Sequence, residues 1–149
     1  GLARVSATPG KTAHINVFRL PGFYLVDLPG YGFARASKSV REGYRKLVQG
    51  YLRRRDMLRG VVWLLDVRHM PSTDDIAMQE LLIESGTSVL AVFTKADKLG
   101  RQAQATQSRA IARALGLDES QTQLVSSETG QGIADLGASI LAALNPETA

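Results

Sequence analysis

Apolar and polar positions alternate over residues 13–19 (Ala-His-Ile-Asn-Val-Phe-Arg), the two-residue period of a half-buried strand. Pro21-Gly22 marks a turn, so Phe23–Val26 reads as the returning antiparallel strand. Asp27-Leu28-Pro29-Gly30 and the Gly-rich Tyr31-Gly32-Phe33-Ala34 follow. Ser39 is placed to cap a helix running to about Arg55. Val61–Leu65 is an unbroken apolar run, as expected of a strand covered on both faces. Ser72 or Thr73 can cap a helix over Asp74–Glu84, and Val89–Phe93 is a further apolar strand. Arg101–Leu115 is helical and closes on Gly116. Leu124-Val125 is a short strand, and Ile133–Leu144 forms a last helix stopped before Pro146. Strand and helix alternate from Phe23 onward. This predicts an α/β fold: an open, mostly parallel sheet with helices on both faces and one antiparallel hairpin, Ala13–Arg19 with Phe23–Val26.

With 149 residues, 44% of them hydrophobic, the chain can bury a core of its own, and one domain spanning residues 1–149 is expected. It has no Cys, so disulfides and thiolate metal sites are excluded, and a cytoplasmic location fits. No apolar run approaches the roughly 18 residues of a membrane span, and no membrane partner is expected. The net charge of +4 matters for where it sits. Arg41, Arg45, Lys46, Arg53, Arg54, Arg55 and Arg59 lie on or just after one helix, with Tyr44 and Tyr51 among them. Such a cluster is either a solvated helix face or a surface for RNA phosphates.

The candidate chemistry begins where the Val89–Phe93 strand ends, at Thr94-Lys95-Ala96-Asp97. A carboxylate at Asp97 can accept both the ring N–H and the exocyclic amine of guanine, a pair adenine does not offer. The Lys95 stem can lie along the base with its charge in water, and the Thr94 hydroxyl can pin neighbouring backbone. The same tetrapeptide could be a solvated turn, but loops at the carboxyl ends of strands are where open α/β sheets bind ligands. Three further segments stand in order with it: Thr8-Pro9-Gly10-Lys11-Thr12, Asp27-Leu28-Pro29-Gly30 and Val125-Ser126-Ser127.

With these residues, and with Leu25–Gly32 and Asp66-Val67-Arg68-His69-Met70-Pro71, the chain resembles the EngB-type (YihA/YsxC) GTPases of the Era-like translation-factor group. The resemblance runs nearly end to end. It implies a P-loop NTPase-type G domain that binds GTP or GDP with Mg²⁺. It also implies a role in large ribosomal subunit assembly, linked to cell division and septation. Gly10, Lys11, Thr12, Ala13 and His14 would form the second nucleotide motif, with Thr12 on Mg²⁺ and sensing the γ-phosphate. Asp27 would hold a water on the Mg²⁺, beside Leu28 and Pro29, with the Gly30 N–H at the γ-phosphate. Thr94, Lys95, Ala96 and Asp97 would read the base. Val125, Ser126 and Ser127 would supply an N–H to the guanine carbonyl. The resemblance also favours rRNA and a large-subunit precursor as partners of Arg41, Arg45, Lys46, Arg53, Arg54 and Arg55, on a protein expected to be a monomer.

One departure stands out. The phosphate-loop pattern G-x-x-x-x-G-K-[ST] does not occur; Gly10-Lys11-Thr12 copies its last letters, but residue 5 is Val and a strand follows. In the family the loop and its helix lie upstream of a segment like Gly1–Thr8. The expectation is a member that starts after the first strand, loop and helix, or one that has lost them. The first strand would belong mid-sheet, between Phe23–Val26 and Val61–Leu65, and these residues alone would bind GTP poorly. Tyr31 stands where many GTPases have a water-orienting Gln, so hydrolysis should be slow and rely on another group, K⁺ or a partner. No catalytic residue is assigned: His69 reads as ordering the loop before Pro71, and the two His lack metal-site spacing. Two readings remain, a GTP-dependent switch visiting pre-ribosomal particles and a nucleotide-independent RNA- or ribosome-binding module.

Overall fold

A computed structural model describes residues 15–31, 37–54 and 56–145. Thr8–Thr12, Ala13, His14, residues 32–34 and Arg55 lie outside the described residues. The chain divides into two compact units, Gly1–Arg54 and Arg55–Ala149.

In the first unit, β1 (Asn16–Leu20) pairs antiparallel with β2 (Phe23–Asp27), in register from Leu20↔Phe23 to Asn16↔Asp27. Gly22 takes φ +88° after Pro21, the combination a type II turn asks for. Helix α1 spans Lys38–Leu52. Its cap is Ser37 and not the expected Ser39: the Ser37 hydroxyl accepts the Val40 N–H at 3.3 Å. Ser37 is extended (φ −66°, ψ 160°) as a cap must be, whereas Ser39 is already helical. The helix ends at Leu52, three residues short of the expected Arg55, and Val48 and Leu52 are its buried residues.

In the second unit, β3 (Val61–Asp66), β4 (Val89–Thr94) and β5 (Thr122–Leu124) form a parallel sheet in the order β3-β4-β5. Helices α2 (Thr73–Ser85) and α3 (Arg101–Leu115) make the two crossovers, and α4 (Ile133–Leu144) follows β5. Helices α2 and α3 are tied together where the Gln79 amide of α2 donates to the Leu115 carbonyl at the end of α3 at 2.7 Å. Ser72 caps α2 in a reciprocal box with Asp75, whose carboxylate accepts the Ser72 N–H at 2.8 Å. Gly86 and Gly116 close α2 and α3 in the left-handed conformation. Strand β5 begins two residues and ends one residue earlier than Leu124-Val125 suggested, and Val125 keeps a bond to the ladder through its N–H on the Phe93 carbonyl at 2.8 Å.

The core of this unit runs through Trp63, Leu65, Val67, Leu81, Leu82, Ala91, Val92, Phe93, Ile111 and Leu115. The expectation that β3 is covered on both faces does not hold. Trp63 and Leu65 point inward and are buried, but Leu64 points the other way and is 60% exposed. Among the described strands β3 pairs with β4 alone.

Candidate functional site

Parallel pairing brings the carboxyl ends of β3, β4 and β5 to one edge of the second unit. Asp66 and Thr94 stand in register as the last residues of β3 and β4. The Thr94 hydroxyl donates to the Leu65 carbonyl at 3.3 Å, the pinning role its residue type suggests. The chain then turns sharply at Lys95, which has φ +62° and ψ 35°. It is the one non-glycine residue with positive φ among the described residues. A lysine there costs about 1–3 kcal/mol, a strain that tends to mark functional positions. The turn continues as a single 3-10 turn over Ala96–Lys98, with Ala96 fully buried.

The loop after β5 meets this turn directly. The Ala96 N–H donates to the Val125 carbonyl at 3.1 Å. Ser126 is fully buried, and its hydroxyl donates to Asp97 Oδ1 at 2.8 Å while accepting the Thr129 N–H at 3.2 Å. The Ser126 backbone is also occupied: its N–H goes to the Gln131 carbonyl and its carbonyl accepts the Gly130 N–H, both at 2.9 Å. Tight closure of this loop demands Gly132. Its φ is +72°, and a Cβ there would sit 2.2 Å from the Leu124 carbonyl oxygen. The outcome is a carboxylate with one oxygen anchored from below. The other oxygen of Asp97 has the Lys98 ammonium 3.9 Å away as its ion-pair partner.

A second cluster flanks the turn. Asp66 Oδ1 accepts the Arg68 backbone N–H at 3.0 Å and Arg68 Nε at 3.1 Å, while Oδ2 accepts Arg68 Nη2 at 2.7 Å. The same Oδ2 lies 3.4 Å from Lys95 Nζ. The Arg68 side-chain bonds, more than the backbone bond and the Lys95 contact, hold the Asp66 carboxyl well below the usual carboxylate range against the opposing effect of burial. Asp66 orders the start of the loop before Pro71, and His69, expected to order that loop, is exposed and contributes its backbone N–H to the Asp66 carbonyl at 3.2 Å.

Gln104, on α3, and Gln131, in the loop before α4, join the two loops. The Gln104 amide nitrogen donates to the Ala96 carbonyl at 2.7 Å and the Leu99 carbonyl at 3.0 Å, and its oxygen accepts the Gln131 amide at 3.0 Å. Sequence reasoning assigns no role to Asp66, Arg68, Gln104 or Gln131. Asp66 does carry a signal, an aspartate directly after an apolar strand; a glutamine on a helix carries none.

The structure therefore brings Thr94, Lys95, Ala96 and Asp97 together with Val125, Ser126 and Ser127, as neighbouring parallel strands require. In the other unit, Asp27 stands exposed at the end of β2, followed by half-buried Leu28 and Pro29 and exposed Gly30. The Tyr31 ring packs at a tilt against Tyr44 with centroids 6.3 Å apart, and burial pushes the Tyr44 phenol up to about 12. Arg41, Arg45, Lys46, Arg53 and Arg54 are exposed on or just after α1, with the Arg54 guanidinium 5.0 Å from the Tyr51 ring centroid. Gly10, Lys11, Thr12, Ala13, His14 and Arg55 are outside the described residues.

Comparison with known proteins bears on this arrangement. The model of a family described as "50S ribosome-binding GTPase" matches residues 1–95. "Probable GTP-binding protein EngB" of Syntrophomonas wolfei is 42% identical over 140 residues, covering 93% of this chain and 72% of the relative. The protein of the same name from Exiguobacterium sibiricum is 44% identical over 134 residues, covering 89% of this chain and 69% of its own length. Among solved structures, that of a probable GTP-binding protein EngB superposes with a TM-score of 0.76 over 96% of this chain and 86% of that one, at 18% identity. Era in complex with MgGDPNP and a segment of 16S ribosomal RNA superposes with a TM-score of 0.68, also at 18% identity, over 94% of this chain and 47% of that chain. The two superpositions establish the G-domain fold, with its parallel sheet and antiparallel hairpin, and the sequence relatives establish more. The chain belongs to the EngB family of GTP-binding proteins.

Proposed function

We propose that this protein is a guanine-nucleotide switch that acts on large ribosomal subunit precursors, with the family's link to cell division and septation following from that role. The observation that carries the reading is the bond from buried Ser126 to Asp97 Oδ1 at 2.8 Å. It fixes a carboxylate plane at the carboxyl edge of a parallel sheet, where a purine can present its ring N–H and exocyclic amine. The backbone supports the same pose. The Val125 and Ser126 N–H groups are engaged with Phe93 and Gln131, so Ser127, an exposed residue, would supply the N–H for the guanine carbonyl. Lys95 lays its stem on the base.

The phosphates belong with Gly10, Lys11, Thr12, Ala13, His14 and the Asp27–Gly30 segment. Thr12 and, through water, Asp27 would hold Mg²⁺. One carboxylate and one hydroxyl suit a cation that keeps most of its own waters, and the exposed Asp27 carboxylate fits that part. Bound there, Mg²⁺ would neutralise phosphate charge. Hydrolysis is slow in this reading, because Tyr31 offers a phenol where an amide would orient water; K⁺ or a partner supplies the missing help. Arg41, Arg45, Lys46, Arg53, Arg54 and Arg55 meet rRNA phosphates.

The test is base selectivity. Asp97→Asn exchanges an acceptor for a donor and should lower GDP affinity about tenfold or more, roughly 1–3 kcal/mol, while raising affinity for xanthosine diphosphate. Titration of both nucleotides against both proteins by calorimetry measures it. An unchanged GDP affinity in the variant overturns the assignment.

A further inference from the structure

We propose that Asp66 is a positioning residue for the nucleotide base, acting through Lys95. The proposal rests on the guanine reading of Thr94–Asp97 and extends it to a residue outside the base-contacting segments.

Strand register sets the contact. Asp66 and Thr94 are paired across β3 and β4, so the residue after Thr94 begins beside the Asp66 carboxylate. The left-handed turn at Lys95 then decides where its side chain departs. A four-carbon stem leaving a strained turn has several rotamers, and most would swing it away from a purine. Asp66 Oδ2, 3.4 Å from Lys95 Nζ, selects among them. The carboxylate is itself immobile, because Arg68 grips both its oxygens through its backbone N–H, Nε and Nη2. Lys95 remains more than half exposed, so the stem keeps one open flank for a base while its ammonium is held at the far end. Asp66 Oδ1 thus shapes the Asp66–Arg68 turn, while Oδ2 is shared between Arg68 Nη2 and the lysine it orients.

Asp66→Asn keeps an oxygen for the Arg68 backbone N–H but places a neutral amide where Arg68 Nη2 and Lys95 Nζ both need an anion. The stacking contact it disturbs is blind to the exocyclic amine of guanine. Loss of Asp66 should therefore weaken GDP and inosine diphosphate by the same factor, about fivefold for an exposed ion pair of this kind. Asp97→Asn, by contrast, should change the ratio of the two, because inosine lacks that amine. A failure of the guanine reading shows as an unaltered ratio in Asp97→Asn; a failure of the present proposal shows elsewhere.

The deciding experiment is a double-mutant cycle with Lys95→Met, which keeps the stem and removes the charge. GDP and inosine diphosphate dissociation constants are measured for the protein, Asp66→Asn, Lys95→Met and the pair, with thermal unfolding as a check that each is folded. The expected result is that Asp66→Asn has no further effect once Lys95 is Met. If Asp66→Asn lowers affinity equally in both backgrounds, or leaves it unchanged in the protein, the positioning role is wrong. Should Asp66→Asn not fold, Asp66→Glu replaces it in the cycle, and a loss of affinity that persists in the Lys95→Met background likewise overturns the proposal.

Discussion

At the residue scale, one buried hydroxyl governs the proposed base site. Ser126 Oγ gives its proton to Asp97 and takes one from the Thr129 backbone. Ser126→Ala would leave Asp97 Oδ1 without that donor and free the carboxylate to rotate. We expect GDP affinity to fall by roughly 1–2 kcal/mol, five- to thirtyfold, in a calorimetric titration, with the fold retained. A loss below twofold would mean that Asp97 is held by other groups. The serine itself is legible as part of a short motif after a strand; its complete burial is not, because burial depends on how the following residues close over it. That closure rests on Gly132. Any side chain there meets the Leu124 carbonyl and the strain of positive φ. Gly132→Ala should therefore cost at least about 2 kcal/mol of stability in a denaturant titration; an unchanged midpoint would show that the loop yields.

At the element scale, helix boundaries can be read where capping chemistry is local. Arg101–Leu115 and Ile133–Leu144 are delimited by Gly116 and Pro146 and stand as expected. Sequence alone puts the cap of α1 two residues late because Ser37 and Ser39 are chemically alike, and only backbone conformation tells them apart. What covers an element is less legible. An apolar run tells that a strand can be buried, not that both faces are, which is why Leu64 is exposed against expectation. Helix α4 makes the same point: largely apolar along its length, it has no fully buried residue. Between elements, the Asp66–Arg68 pair couples the end of β3 to pH. The Asp66 carboxyl is held below its unfolded value, so its contribution is present above the unfolded pKa near 4 and is lost as pH falls through the lower folded value. Because Arg68 is exposed, solvent screens the pair and the contribution is small. Asp66→Asn should accordingly flatten the acid limb of stability below pH 4, followed by thermal unfolding across that range. An acid limb of unchanged steepness would contradict the direction of the shift.

At the scale of the whole molecule, the proposed function requires that the nucleotide and the ribosome be joined. The G-domain fold is legible from the alternation of strand and helix and from four short motifs in order. The pair of loops proposed to read the base is legible because parallel neighbours bring their carboxyl ends together. The Asp66–Lys95 contact is not, since it depends on strand register, which sequence does not fix for strands apolar throughout. The basic surface on and after α1 is open to a direct check: replacing Arg53 and Arg54 with Gln should reduce the salt dependence of particle binding by about one unit of slope for each phosphate that is no longer neutralised. An unaltered slope would leave these residues a solvated face. The switch itself is tested most directly by cosedimentation of the protein with large-subunit precursor particles in the presence of a non-hydrolysable GTP analogue, GDP or the corresponding xanthine nucleotides. The expected result is stronger cosedimentation with the GTP analogue than with GDP, and transfer of that response to the xanthine analogue in Asp97→Asn. Equal binding whatever the nucleotide, in both proteins, would contradict the switch and support a nucleotide-independent ribosome-binding module instead.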